Sequence, residues 1–182
     1  DDILKNIKFV TGNPNKLKEA IQILGFPLEQ VALKDLNELQ TSSVEEVAIH
    51  KLNQAYGKLQ APVMVEDSGL VFCAWNELPG ALVKWFEKSV GYGGLIKMLE
   101  SFADRRALAI CYIGIHNGKE TKVAKGVVSG SITFTERGEN GFGWDSIFIP
   151  NGYKHTYAEM SSNEKNSISH RKKAFDSLKK MF

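Results

Sequence analysis

Cysteine is scarce in this chain: Cys73 and Cys111 are the only two in 182 residues, each lies in an apolar segment, and they show no CxxC spacing. That pattern argues against a disulfide framework, a zinc site or redox chemistry and predicts buried, reduced thiols. Long apolar runs are missing too. The longest, residues 107–115, falls well short of the roughly 18 residues a membrane span needs, and no signal-peptide pattern is present. A soluble, cytoplasmic protein is therefore expected; the chain opens on Asp1-Asp2 without Met, which leaves its native start open. His50, His116 and His155 are scattered without metal-ligand spacing and read as structural. Excess charge of either sign is absent: Lys+Arg 23 against Asp+Glu 21 gives a net +2, which argues against generalised attraction to nucleic acid or anionic membrane. Repeats, low-complexity tracts and linkers are absent as well. What remains, 43% apolar composition in one uninterrupted pattern, predicts a single domain over residues 1–182 with one substantial core.

Periodicity predicts a strand over 7–10, a helix over 16–24 ended by Gly25, and a strand over 28–33. Ser43 with Glu46 forms a capping box for a helix whose apolar face is Val44, Val47, Ala48, Leu52, Ala55 and Leu59 and which carries Lys51. A strand over 63–65 runs into Glu66-Asp67-Ser68-Gly69, placing carboxylates at a strand end. Gly91-Tyr92-Gly93-Gly94 reads as a flexible lead-in to a short helix over 95–99. Asn117-Gly118 then joins two long antiparallel strands, 108–116 and 120–131. A basic helix over 169–182 buries Ala174, Phe175, Leu178, Met181 and Phe182. The fold class is α/β (mixed α+β) around a mixed sheet.

The densest chemistry is Phe142-Gly143-Trp144-Asp145 followed by Lys165 and by His170-Arg171. An aromatic face, a carboxylate and several cations suit a nucleotide: rings stack on a base, and Lys165 and Arg171 suit charged oxygens or acceptor-rich base edges. Thr11-Gly12-Asn13-Pro14-Asn15-Lys16 lies between a strand and a helix start, where unpaired N–H groups, the helix dipole and Lys16 favour a phosphate. Taken alone it also reads as an ordinary turn capped by Asn15, and it is not a Walker loop. Asp67 and Glu38 are the candidate oxygen ligands for magnesium, which takes few carboxylates, keeps waters and bridges phosphate oxygens. Glu38 alone reads equally as a solvated loop carboxylate. A triad of Ser68, His170 and an Asp lacks the GxSxG elbow and is set aside. Lys84 of Lys84-Trp85-Phe86 can face a ligand while its aromatic neighbours serve as core or subunit-interface anchors; Lys172 and Lys173 read as a solvated face.

Together these residues resemble one family, the inosine triphosphate pyrophosphatases. The resemblance rests on Thr11-Gly12-Asn13 with Lys16 and Glu19, Val65-Glu66-Asp67-Ser68-Gly69-Leu70, Leu78-Pro79-Gly80, Lys84-Trp85-Phe86, Gly141-Phe142-Gly143-Trp144-Asp145, Tyr157-Ala158-Glu159-Met160, Glu164-Lys165-Asn166 and Ser169-His170-Arg171. It spans nearly the whole chain, and Lys-Trp-Phe with Gly-Trp-Asp is similar to the eukaryotic branch. Ser146 stands where many members have Pro, and residues 41–45 align poorly in length. The resemblance implies an elongated central sheet with flanking helices and two lobes around a nucleotide cleft. It also implies a homodimer and magnesium-dependent hydrolysis, with manganese as an alternative metal, of inosine, deoxyinosine and xanthosine triphosphates to the monophosphate and pyrophosphate. On it, Thr11, Gly12, Asn13, Pro14, Asn15 and Lys16 hold phosphates; Lys51, Ser68 and Lys84 contact substrate; Glu38 and Asp67 serve the metal. Asp67 and Lys16 carry the catalytic roles, Asp67 as proton acceptor. Phe142, Gly143, Trp144, Asp145, Lys165, His170 and Arg171 line the nucleoside end.

Base choice follows from hydrogen-bond type. Hypoxanthine and xanthine present an oxygen at position 6 where adenine presents an amino donor, so donors from His170, Arg171 or backbone N–H fit the former and clash with the latter, and the Arg171 guanidinium can only donate. Rejection of guanine needs another feature near position 2, which the sequence does not reveal. The competing readings are a non-catalytic nucleotide-binding module, which has no use for the acidic pair, and a single-strand nucleic-acid binder, which the net charge disfavours. A pyrophosphatase for other modified nucleotides remains the nearest rival.

Overall fold

The computed structural model describes residues 2–182; Asp1, and with it the reading of the chain's start, lies outside them. The described residues form a mixed sheet flanked by six helices. Its strands are β1 (Lys8–Val10), β2 (Glu29–Val31), β3 (Val63–Phe72), β4 (Pro79–Gly80), β5 (Arg106–His116), β6 (Thr121–Ile132) and β7 (Phe148–Pro150), in the order β2-β1-β3-β5-β6-β7, with β4 on β3. β1 runs parallel to β2 and β3; the other pairings are antiparallel. The helices are α1 (Asp2–Lys5), α2 (Pro14–Leu24), α3 (Val44–Leu59), α4 (Val83–Leu99), α5 (Ser162–Ile168) and α6 (His170–Lys179).

Local chemistry sets most element ends. Asn13 caps α2 by accepting the Asn15 N–H at 2.9 Å and Pro14 takes the first helical position, so Asn13, not Asn15, is the cap. Gly25 closes the helix in the left-handed region at φ 82°. Ser43 caps α3, but the capping box is half made: Glu46 turns its carboxylate to the Thr41 hydroxyl at 3.1 Å. The hairpin pairs His116 with Thr121 as the Asn117-Gly118 signal requires.

Long β3, β5 and β6 carry the two largest of four apolar clusters. One half buries Phe9, Met64, Cys111, Ile113, Ala124 and Phe175 against α2 and α6; the other buries Leu70, Phe72, Ala107, Ala109, Val128 and Phe148 against α4. The middle of β3, residues 66–68, falls between them. The expected strand end after Val65 is therefore wrong. The ladder with β5 continues through Glu66↔Ile113 and Asp67↔Tyr112 to Phe72↔Ala107, because β5 satisfies the backbone and lets a strand carry carboxylates at its centre. Alternation then sends Glu66 to the α2 and α6 side, where it meets Lys16 and Arg171, and Asp67 to the α3 side, where it meets Lys51.

Three further expectations are corrected. The short helix over 95–99 is the second half of α4, which begins at Val83 and breaks at Gly91 (φ 71°, ψ 174°), a conformation that only glycine adopts without strain. The last basic segment is two helices, α5 and α6; α6 stops at Lys179, leaving Met181 and Phe182 37% and 44% exposed instead of buried. Both thiols are free, but only Cys111 is buried; Cys73 is half-buried. His116, read as structural, stacks on Tyr56 at 3.8 Å.

One close approach fixes the distance between sheet and α6. A methyl group at Gly126 of β6 would lie 2.0 Å from the His170 carbonyl and 2.4 Å from the Ala174 nitrogen, both backbone. Gly126→Ala is expected to cost about 3 kcal/mol in urea unfolding by forcing α6 away from the sheet; a variant of unchanged midpoint would show that α6 yields freely.

Candidate active site

The N-terminus of α2 faces a cleft of about 360 Å³, lined on one side by Thr11, Gly12, Asn13 and Lys16 and also by Val83, Lys84, Glu87 and Tyr92 of α4. Lys51 of α3, Asp67 and Ser68 of β3, and Glu38 line it between these walls, and Phe142, Gly143 and Trp144 close one end. The Thr11 hydroxyl accepts the Asn13 N–H at 3.1 Å, which orders the loop so that the first N–H groups of α2 point outward with the positive end of its dipole. Of the sequence-predicted phosphate residues, Pro14 and Asn15 are not in this lining; Asn15 borders a separate hollow of about 120 Å³ behind Phe142.

Every cleft lysine is matched by a carboxylate. Lys16 lies 3.3 Å from Glu66, Lys51 lies 3.6 Å from Asp67 while donating to the Glu66 carbonyl at 3.2 Å, and Lys84 pairs with Glu38. Burial is the largest influence on Asp67 and raises its carboxyl above the ordinary range; Lys51 and Lys16 oppose it, and Glu66 and Glu38 add to it. Burial also works against a charged Lys16, yet Glu66 and Asp67 outweigh it and its pKa is raised. Asp67 is thus a carboxylate of increased basicity beside a Lys16 whose charged form its acidic neighbours favour, which suits a proton acceptor.

Below the cleft floor runs a buried chain of alternating charge. Lys16 meets Glu66; Glu66 meets Arg171 at 3.4 Å; Arg171 meets Glu19 at 2.6 Å; Glu19 meets Lys165 at 2.8 Å; Lys165 meets Asp145 at 2.5 Å. Burial alone would raise Glu66, but Arg171, Lys16 and Lys51 hold it down at about 2. Burial likewise raises Asp145, against the pull of Lys165. Lys165 and Arg171, expected as donors at the nucleoside end, are 3% and 1% exposed, and carboxylates hold them in place. Sequence alone assigns Glu66 and Glu19 no role, since only the fold brings positions 19, 66, 145, 165 and 171 together.

Phe142 lies over the cations, its ring 4.7 Å from Lys165 Nζ and 5.5 Å from the Arg171 guanidinium. Trp144 is not an open stacking face; it is buried against Phe148, Tyr157 and His170. Between them a slot of about 20 Å³, room for roughly one water molecule, is lined by Ser68, Phe142, Gly143, Trp144, Asp145, His170 and Arg171. Two of its buried polar atoms, His170 Nδ1 and Arg171 Nε, have no hydrogen-bond partner. Buried orphans are costly, and these two belong to residues that line the slot. Burial and then the charges of Arg171, Lys165 and Lys16 push His170 well below its ordinary pKa, so it is neutral. Glu87 and Tyr92 were missed because the sequence reading began the helix at Leu95; the signal available was their spacing from Lys84.

Glu38 and Asp67 are hard oxygen donors on one cleft and close enough for Glu38 to raise Asp67. Among the described residues no group of three or more His, Cys, Asp or Glu side chains could hold a metal. Two carboxylates suit a magnesium ion that keeps waters and takes phosphate oxygens, and would be too few for a site built of protein ligands alone.

A sequence model of the Ham1 family matches residues 7–181. The chain is 47% identical over 191 residues to the inosine triphosphate pyrophosphatase of Scheffersomyces stipitis, covering 97% of each chain. To the protein of that name in Schizosaccharomyces pombe it is 46% identical, covering 93% of this chain and 90% of that one. The solved Ham1 protein of Staphylococcus aureus superposes with a TM-score of 0.81 at 31% identity, over 96% of this chain and 97% of the other. Cleft, sheet and motifs agree with that relationship along the whole length: this chain belongs to the Ham1 family.

Proposed function

We propose that the protein hydrolyses non-canonical purine nucleoside triphosphates, those of inosine, deoxyinosine and xanthosine, to the monophosphate and pyrophosphate. One observation carries the reading: Lys16, Lys51 and Lys84 converge with Asp67 and Glu38 on a single cleft that ends at Phe142 and the polar slot beside it. The names of its relatives point to the same chemistry. Magnesium, or manganese in its place, would be held by Glu38 and Asp67 and would supply charge neutralisation on the phosphate oxygens. Lys16, Lys51, Lys84 and the first N–H groups of α2 bind the triphosphate tail and offset charge that develops as the bond breaks. Asp67 takes a proton from the attacking water. The water oxygen bonds to the α-phosphorus, the bond from that phosphorus to the α–β bridging oxygen breaks, and pyrophosphate leaves with that oxygen.

At the other end, donors from Arg171, His170 or a backbone N–H meet the 6-oxygen of hypoxanthine or xanthine. Adenine would leave such donors unpaired at about 1–3 kcal/mol each, giving discrimination on the order of a hundredfold for two mismatches. Purified protein with magnesium and inosine triphosphate is expected to release pyrophosphate, with adenosine triphosphate about a hundred times slower. Release of orthophosphate instead, or equal rates on both, would overturn the reading. The protein acts in this reading as a cytoplasmic homodimer, supported by its unpaired cysteines and by Trp85, Val90 and Met98 of α4, which stand 46% exposed around an apolar hollow of about 320 Å³. Among the described residues no helix is long and apolar enough to cross a membrane.

A further inference from the structure

The α4 wall of the cleft carries more than Lys84. Glu87 stands one helical turn further on, and the break at Gly91 turns Tyr92 inward, so that Lys84, Glu87 and Tyr92 all line the cleft. The two ends of this row have fixed neighbours. Lys84 pairs with Glu38 at the phosphate end, whereas a methyl group built on Gly143 would lie 3.8 Å from the Tyr92 hydroxyl, at the base end. Glu87 therefore sits between the two. Alone among the cleft carboxylates Glu38, Asp67 and Glu87, it has no ion-pair partner among the described residues.

A lone carboxylate in a cleft for a polyanion cannot serve the phosphates; it would repel them. It accepts hydrogen bonds and does not donate them, so the part of a nucleotide suited to it is the sugar, whose hydroxyls are donors. A nucleotide laid with its tail at the lysines and its base beside Gly143 brings that part opposite Glu87. Tyr92 adds a second group: its ring packs against the α4 core while its hydroxyl faces Glu87. Burial, and then Glu87, raise the Tyr92 pKa, so its hydroxyl keeps its proton and can donate to Glu87 while its oxygen accepts from the ligand.

We infer that Glu87, supported by Tyr92, binds the 3′ hydroxyl of the nucleotide's sugar, which ribose and deoxyribose substrates share, and makes its presence a condition of efficient turnover. The inference rests on the proposed pyrophosphatase reading. Its test compares kcat/KM for inosine triphosphate, its 2′-deoxy form and its 2′,3′-dideoxy form in the wild type, Glu87→Ala and Tyr92→Phe. Wild type is expected to favour inosine triphosphate over the dideoxy form about tenfold or more, as one hydrogen bond to a charged group allows. Glu87→Ala is expected to lower kcat/KM on inosine triphosphate by that factor and bring the two substrates together, with Tyr92→Phe in between. The deoxy form is expected to behave like the ribose form; one that behaves like the dideoxy form overturns the 3′ assignment. A wild type that turns over all three equally, or a ratio that Glu87→Ala leaves unchanged, overturns this inference and leaves the pyrophosphatase reading standing. Failure of the wild type to hydrolyse inosine triphosphate at all removes both.

Discussion

Asp67→Asn is expected to lower kcat on inosine triphosphate by about a thousandfold, within the range that loss of a general base produces, while leaving the thermal midpoint unchanged or higher. Both halves come from one cause. Burial raises the Asp67 carboxyl above its unfolded value, so its contribution to stability is present at low pH and lost as pH rises through the folded pKa. Near neutrality the ionised group is therefore a liability to the fold, and a neutral amide of the same shape relieves it. Lys51, the ion-pair neighbour at 3.6 Å, is half-buried and still donates to the Glu66 carbonyl, so it is not stranded. Turnover and calorimetric melting of the same preparation check the claim together. Retained turnover would remove Asp67 from the chemistry; lost turnover with a fall in midpoint would make its role structural.

Arg171→Met is expected to act in the opposite way, on the fold before the chemistry. The guanidinium is the cation between Glu19 and Glu66, and its removal leaves two buried carboxylates short of a partner. Breaking one side of a buried ion network costs about 3–5 kcal/mol, a large share of the 5–15 kcal/mol of a typical domain. For a chain of this length that lowers the midpoint by roughly 10 °C. The deficit should depend on pH. Glu66 is held at about 2 against an unperturbed 4.5, so its stabilisation is present above about 4.5 and is lost as pH falls toward about 2. Without Arg171 that depression weakens, and wild type and variant should converge near the acid end. Urea unfolding at neutral pH and at about pH 3 measures this; a gap that stays constant would mean that Arg171 stabilises by packing alone.

Much of the architecture was legible because its causes are local. A strand followed by Asn13-Pro14 and an apolar stripe makes α2, Ser43 starts α3, and Asn117-Gly118 makes the hairpin, all through contacts a few residues apart. The candidate cleft residues were legible as motifs for the same reason: a lysine beside a helix start or a carboxylate in an apolar strand is conspicuous in one dimension. Where the reading failed, the deciding partner was remote. β3 runs on past Val65 because β5, some forty residues later, supplies its ladder; α4 begins at Val83 because its apolar side packs on the core around Leu70 and Phe72.

The sequence by itself determined which side chains could do chemistry, since charge, donor count and ring character belong to a residue wherever it lies. The tertiary structure decided which of them are free to do it. Lys165 and Arg171 read in the sequence as donors to a ligand and in the molecule are fixed by carboxylates, because burial makes an unpaired charge too costly and the fold draws Glu19, Glu66 and Asp145 in to meet them. Glu87 changes the other way, from an unremarked residue to the one cleft carboxylate without an ion-pair partner among the described residues, because α4 begins at Val83 and sets it one turn beyond Lys84 on the cleft wall. Such pairings depend on distances between residues far apart in the chain, and those exist only once the chain has folded.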